Sequence, residues 1–117
     1  MGSNILKGSF YRGARNIIYV DPYIDGSTVD LTTYAEVKFV CTDKLDALVF
    51  SKTKLAGITI VDGDAVNGRA KIETDRIDSL TMTEGMFYKW ALWDPSTDTL
   101  LGEGFLYVSV APDYDTV

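Results

Sequence analysis

Apolar and polar residues alternate with a period of two along this chain, and no stretch keeps the 3.6-residue period of an amphipathic helix. The clearest case is "AEVKFVC", Ala35–Cys41. Ala35, Val37, Phe39 and Cys41 fall on one side of it, and Glu36, Lys38 and Val40 on the other. That pattern specifies a strand with one face in a core. Turn residues interrupt the alternation at intervals of roughly 8–12 residues, as in all-β sandwiches and small barrels. Asn67-Gly68 is the strongest hairpin signal, and Asp25-Gly26, Asp62-Gly63 and Pro95 mark other turns.

The predicted strands follow from the same two signals. They are Asn16–Ile24, Ala35–Cys41, Asp46–Lys52, Gly57–Gly63, Arg69–Thr74, Met86–Trp93 and a last strand from Gly104. Pro22 marks an edge or a strand end, because proline cannot donate to a ladder. Thr74 or Asp75 is placed to cap one short helical turn ending near Leu80, and Gly85 to close the loop after it. The expected fold is all-β, a sandwich or small barrel of about seven to eight short antiparallel strands. Its 117 residues suffice for one core.

Composition removes several classes of chemistry. The chain has no histidine, which takes away the commonest general base and metal ligand, and its one cysteine, Cys41, lies on an apolar strand face as a small core residue. No Gly-rich phosphate loop opens a helix. Asp21, Asp25 and Asp30 cluster in sequence, as do Asp62, Asp64 and Asn67. Oxygen-rich loops hold calcium, but this spacing is not that of a calcium-binding helix–loop–helix. The same side chains fix turns by bonding nearby backbone N–H groups, and that is the expected role. No cofactor, no metal and no catalytic residue is expected, and the chain is not expected to be an enzyme.

Charge points the same way. The net charge of −6 disfavours nucleic acid, whose phosphates need clustered Lys and Arg. No apolar run approaches the roughly 20 residues of a membrane span, so no membrane partner is expected. Residues 1–20 hold Lys7, Arg12 and Arg15 and no acid, leaving 17 acids against 8 bases in the remainder. A basic arm over 1–14, a domain over 15–111 and an acidic tail over 112–117 are the expected divisions. Met86–Trp93 is apolar on both faces, with Tyr88 and Trp90 on one and Phe87 and Trp93 on the other. One face belongs to a core, and the other needs a cover, either a partner or the chain itself.

The order of these segments resembles a known family. "VDLT", "VFSK", "GITIVDG", "GRAKIETDRIDSL", "TEGMFYKWALWDP" and "LGEGFLYVSV" follow one another as in the immunoglobulin-like domain of tailed-phage baseplate upper proteins and related phage tail and virion accessory proteins. The resemblance rests on Asp30-Leu31-Thr32, on Asp75 to Leu80 with Gly85 and Phe87, and on Gly104 with Leu106 and Val108. Phe87 stands where that family has a tyrosine, so no phenolic hydroxyl is expected for a corner hydrogen bond. Lys89 stands where another aromatic is often found.

The resemblance implies an immunoglobulin-like β-sandwich. It also implies a small non-catalytic accessory or decoration subunit of a virion, in tail, baseplate or capsid. Its partners would be other virion proteins and copies of itself. The contact residues expected for that role are Tyr11, Arg12, Arg15, Tyr88, Trp90 and Trp93. The alternative function is a host-surface glycan-binding module that uses exposed Tyr88, Trp90 or Trp93.

Overall fold

Alternation places most of the strands where the sequence expects them. The computed structural model describes residues 5–7, 9–24, 27–61 and 68–110. Its strands are β1 (Ile5–Lys7), β2 (Phe10–Tyr11), β3 (Asn16–Asp21), β4 (Tyr23–Ile24), β5 (Ser27–Thr28), β6 (Lys38–Thr42), β7 (Leu48–Lys54), β8 (Gly57–Val61), β9 (Arg69–Thr74), β10 (Phe87–Asp94) and β11 (Thr99–Ser109). Two short 3-10 turns, Leu31–Thr33 and Arg76–Ser79, are the only helical pieces among the described residues. The second matches the turn expected near 75–80. Its N-cap is Asp75, whose N–H donates to Asp78 Oδ2 at 2.7 Å. Pro22 splits the expected strand 16–24 into β3 and β4. The Asp25-Gly26 and Asp62-Gly63 turns and the tail 112–117 lie outside the described residues.

Nine strands pair in the order β1-β3-β9-β8-β7-β6-β10-β11-β2, and β4 with β5 makes a separate ribbon. By its pairing this is one continuous sheet, wound into a nearly closed barrel. The expected division into two sandwich sheets is therefore not confirmed by the hydrogen bonding. Nor are all neighbours antiparallel: β7–β8 and β2–β11 run parallel, over two residue pairs each. At β7–β8 the cause is local. Leu55 and Gly57 take left-handed φ values of 70° and 106°, and Thr53 and Ala56 bond each other's backbone at 2.9 and 3.2 Å. The chain makes a small loop and continues in its original direction, so the flanking segments are parallel.

The segment expected as a basic arm is built into this sheet where it is described. β1 pairs antiparallel with the end of β3, and β2 pairs with the end of β11. One stretch of chain thus serves both margins of the barrel. Phe10 is buried and begins a row of stacked rings across the interior. Phe10 lies 6.1 Å from Phe50, Phe50 lies 5.9 Å from Phe39, and Phe39 lies 5.7 Å from Trp90. Ile18, Val20, Ala70, Ile72, Leu92, Leu106 and Val108 fill the space around them. Burying a large apolar side chain stabilises by about 1.5–3 kcal/mol, so this row is a main source of stability.

Two polar contacts hold the ends. Asp21, almost fully buried at the end of β3, accepts from Arg69 Nε at 2.8 Å and Nη2 at 2.9 Å at the start of β9. The Arg69 guanidinium also lies 4.6 Å from the centre of the Tyr19 ring. Leu31, the apolar anchor of the "VDLT" segment, is fully buried, and its N–H donates to the Gly68 carbonyl at 2.8 Å.

Candidate interaction surface

The two described acids of the sequence clusters, Asp21 and Asp30, have structural partners. Asp21 is engaged by Arg69. Asp30 accepts from Thr32 Oγ1 at 2.6 Å and Thr32 N at 3.0 Å, and these bonds hold its carboxyl below the ordinary range. Burial pushes the Cys41 thiol up to about 12, which keeps it a protonated, packed core group. Among the described residues no cluster of three or more Asp, Glu or Cys is arranged to hold a metal ion. Asp25, Asp62, Asp64 and Asn67 lie outside the described residues.

The six residues expected to make contacts do not form one patch. Tyr88 and Trp90 face the barrel interior, with Trp90 only 3% exposed. The Tyr88 hydroxyl accepts from Thr83 N at 2.7 Å. A backbone hydrogen bond to a phenol is therefore present, one residue beyond Phe87. The reason is the direction of alternation: Phe87 points out and Tyr88 points in. Trp93 is half-buried on the outer side of β10, and Tyr11 is half-buried at the barrel margin, paired with Ser109. Arg12 is exposed and its Nε donates to the Leu80 carbonyl at 3.1 Å. Arg15 is exposed beside a cleft of about 320 Å³ lined also by Ile17 and Glu73.

The structure assembles a different surface on the outer side of β10 and β11. Cross-strand pairing sets Phe87 beside Tyr107, Lys89 beside Phe105, Ala91 beside Glu103 and Trp93 beside Leu100. The rings of Phe87 and Tyr107 are 4.9 Å apart and tilted by 50°. Phe87 is 62% exposed, Phe105 69% and Tyr107 43%. The face continues over β6 and β7, because Lys89 pairs with Thr42 and Thr42 with Leu48, which is exposed. At its end a cleft of about 230 Å³ runs between Leu45, Thr83, Met86 and Phe87. Lys89 Nζ meets Asp46 Oδ1 at 2.6 Å on this rim.

The sequence does not single out Phe105 and Tyr107, because "FLYV" is apolar at every position and period two alone does not say which pair faces out. A cue was present in Gly104. It sits opposite Trp90, where an added Cβ would stand 3.0–3.1 Å from the indole and oblige it to shift. That assigns Gly104, Leu106 and Val108 to the inner face, and hence Phe105 and Tyr107 to the outer one.

A larger cleft of about 630 Å³ opens at the Leu55 tip, between Glu36, Lys38, Lys54 and Pro95. Lys54 Nζ is bound to the Tyr34 carbonyl at 3.0 Å there. No family model, curated protein or solved structure matches this chain.

Proposed function

We propose that this chain is a non-catalytic structural subunit of a phage particle, with an immunoglobulin-like fold, that acts by presenting the outer face of β10 and β11 to other proteins of the particle. The observation that carries the contact role is the run of exposed rings Phe87, Phe105 and Tyr107 on one continuous face. Monomeric proteins seldom keep large contiguous apolar patches in water unless they serve as contact sites. Aromatic residues are also enriched at the centres of protein interfaces.

Strand order supports the immunoglobulin-like part of the proposal. Lettering β1, β3, β6, β7, β8, β9, β10 and β11 as A, B, C, C′, D, E, F and G divides the order at β7–β8 into A-B-E-D and C′-C-F-G. Those are strand sets of a variable-type immunoglobulin sandwich. The Tyr88–Thr83 bond, at the start of F after the E–F turn, occupies the place of that fold's tyrosine corner. The phage particle itself enters through the sequence resemblance. The glycan-binding alternative has less to work with, since Tyr88 and Trp90 are core residues.

The test is density-gradient sedimentation of phage particles produced with a tagged copy of this chain. The tagged chain is expected to sediment with particles, and Phe105→Glu to remain in the soluble fraction with its fold intact. A native chain that never sediments with particles would sink the virion assignment. Normal incorporation of Phe105→Glu would remove the contact face.

A further inference from the structure

The outer face of β10–β11 is complementary to itself, and we propose that its partner is a second copy of this chain, docked about a two-fold axis. This rests on the contact-face reading above and names the occupant of that face. Four residues carry the argument. Lys89 pairs across the strands with Phe105, and Ala91 pairs with Glu103. They form a quartet with Lys89 and Glu103 on one diagonal and Phe105 and Ala91 on the other. All four lie outside the barrel, since Tyr88, Trp90, Leu92 and Leu106 of the same strands are buried within it.

A two-fold axis in the plane of the contact, lying along the Phe105–Ala91 diagonal, has a definite consequence. It sets Lys89 over the second copy's Glu103, and symmetry repeats that contact in reverse. The same rotation brings Phe105 against its own counterpart and Ala91 against its own. Isologous contacts of this kind close after two copies and leave no open surface to propagate. The centre of the pair would be ring against ring and methyl against methyl, flanked by two opposite-charge contacts.

Charge argues for this face over the rest of the surface. The chain carries a net charge of −6, so two copies repel over most approaches. Here the outward side chains of β6, β10 and β11 include Lys38 and Lys89 with Glu103. Lys89 is engaged by Asp46, and Glu103 also has an interaction within the chain, but these groups are exposed, and exposed pairs of this kind exchange partners at little cost. The barrel wall is curved, so the contact centres on β10 and β11, where the exposed rings of Phe87, Phe105 and Tyr107 stand. A contact confined to two strands is smaller than the roughly 800 Å² per partner of a specific interface, so the dimer is expected to be weak.

Sedimentation equilibrium of the full chain tests the proposal. The native protein is expected to pass from monomer to dimer between micromolar and millimolar concentration. Lys89→Glu and Glu103→Lys are each expected to weaken the dimer by about tenfold or more, and the double variant to recover most of the loss. Ala91→Cys is expected to give a disulfide-linked dimer under mild oxidation, because Cys41 is fully buried and does not compete. Circular dichroism and melting confirm that each variant keeps the fold. A native chain that is monomeric at about 1 mM overturns the proposal, as does a double variant no tighter than either single one. Failure here is distinct from failure of the contact face. If the chain is monomeric but Phe105→Glu still stays off particles, only the second-copy partner falls. If Phe105→Glu joins particles normally, the contact face itself falls.

Discussion

The indole of Trp90 lies against Gly104 so closely that a Cβ built on that glycine would stand 3.0 Å from Nε1 and 3.1 Å from Cε2 and Cζ2. The two residues are direct cross-strand partners on β10 and β11. Trp90 in turn ends the ring row that begins at Phe10. Gly104→Val is expected to push the indole off this seat and to destabilise by about 1–3 kcal/mol, the usual range for overpacking. Urea unfolding followed by tryptophan fluorescence checks it. An unchanged midpoint would mean that the indole has room to move aside.

Gly68 meets a harder constraint. Its φ is +70°, and an added Cβ would lie 2.8 Å from the Leu31 backbone nitrogen and 2.9 Å from that of Thr32, beside the Asp30 carboxylate. Backbone atoms cannot swing away as a flexible side chain can. Gly68→Ala is therefore expected to cost about 2 kcal/mol or more, combining left-handed strain with a clash. Asp30→Ala in the same chain should relieve only part of the loss. Thermal melts of the two single variants and the double variant measure this, and full rescue by Asp30→Ala would place the clash on the carboxylate alone.

Tyr88→Phe removes one oxygen atom, the acceptor for Thr83 N. The expected loss is about 0.5–1.5 kcal/mol, because water can reach the freed N–H at exposed Thr83. The sharper readout is amide hydrogen exchange. Thr83 should lose protection in the variant while β10 and β11 keep theirs. Unchanged exchange at Thr83 would show that the bond does not order the loop.

Acid should destabilise the protein through two turn carboxylates. Asp94 accepts from Ser96 Oγ at 2.6 Å, Thr97 Oγ1 at 2.8 Å and Ser96 N at 3.0 Å, and Asp30 is bound by Thr32. Both carboxyls are held below their ordinary value of 3.8, Asp94 chiefly by Ser96 and Asp30 chiefly by Thr32. A carboxyl with a lowered folded-state pKa contributes stability above its unfolded value. That contribution is lost as pH falls through the folded value. Stability should therefore be level in this respect near neutrality and decline from about pH 4 downward. Asp30→Asn with Asp94→Asn should flatten that decline in melts taken across pH. A decline as steep as the native one would assign acid sensitivity to other groups.

Much of the scaffold was legible where the local pattern allowed one answer. Arg69–Thr74 alternates cleanly and forms β9 with those bounds. Asp75 is legible as a possible cap and Cys41 as a packed residue, because polarity and spacing leave few alternatives. The N-terminal strands were not seen. Ile5–Lys7 and Phe10–Tyr11 are too short to show a period, and their pairing is with β3 and β11, distant in sequence. The outer face of β10 and β11 is only half legible, as one apolar face of Met86–Trp93 that needs a partner or the chain itself as its cover.

Local pattern sets that this chain makes strands and where most of them turn, because alternation and turn chemistry act over neighbouring residues. Tertiary structure decided which apolar face of β10 and β11 went inside. Tyr88, Trp90 and Leu92 were drawn in because Trp90 completes the ring row with Phe39 and fits over Gly104. Phe87, Phe105 and Tyr107 were left outside by that choice. A period of two divides a strand into two faces, but burial is settled only by the partners that the rest of the chain brings to each face.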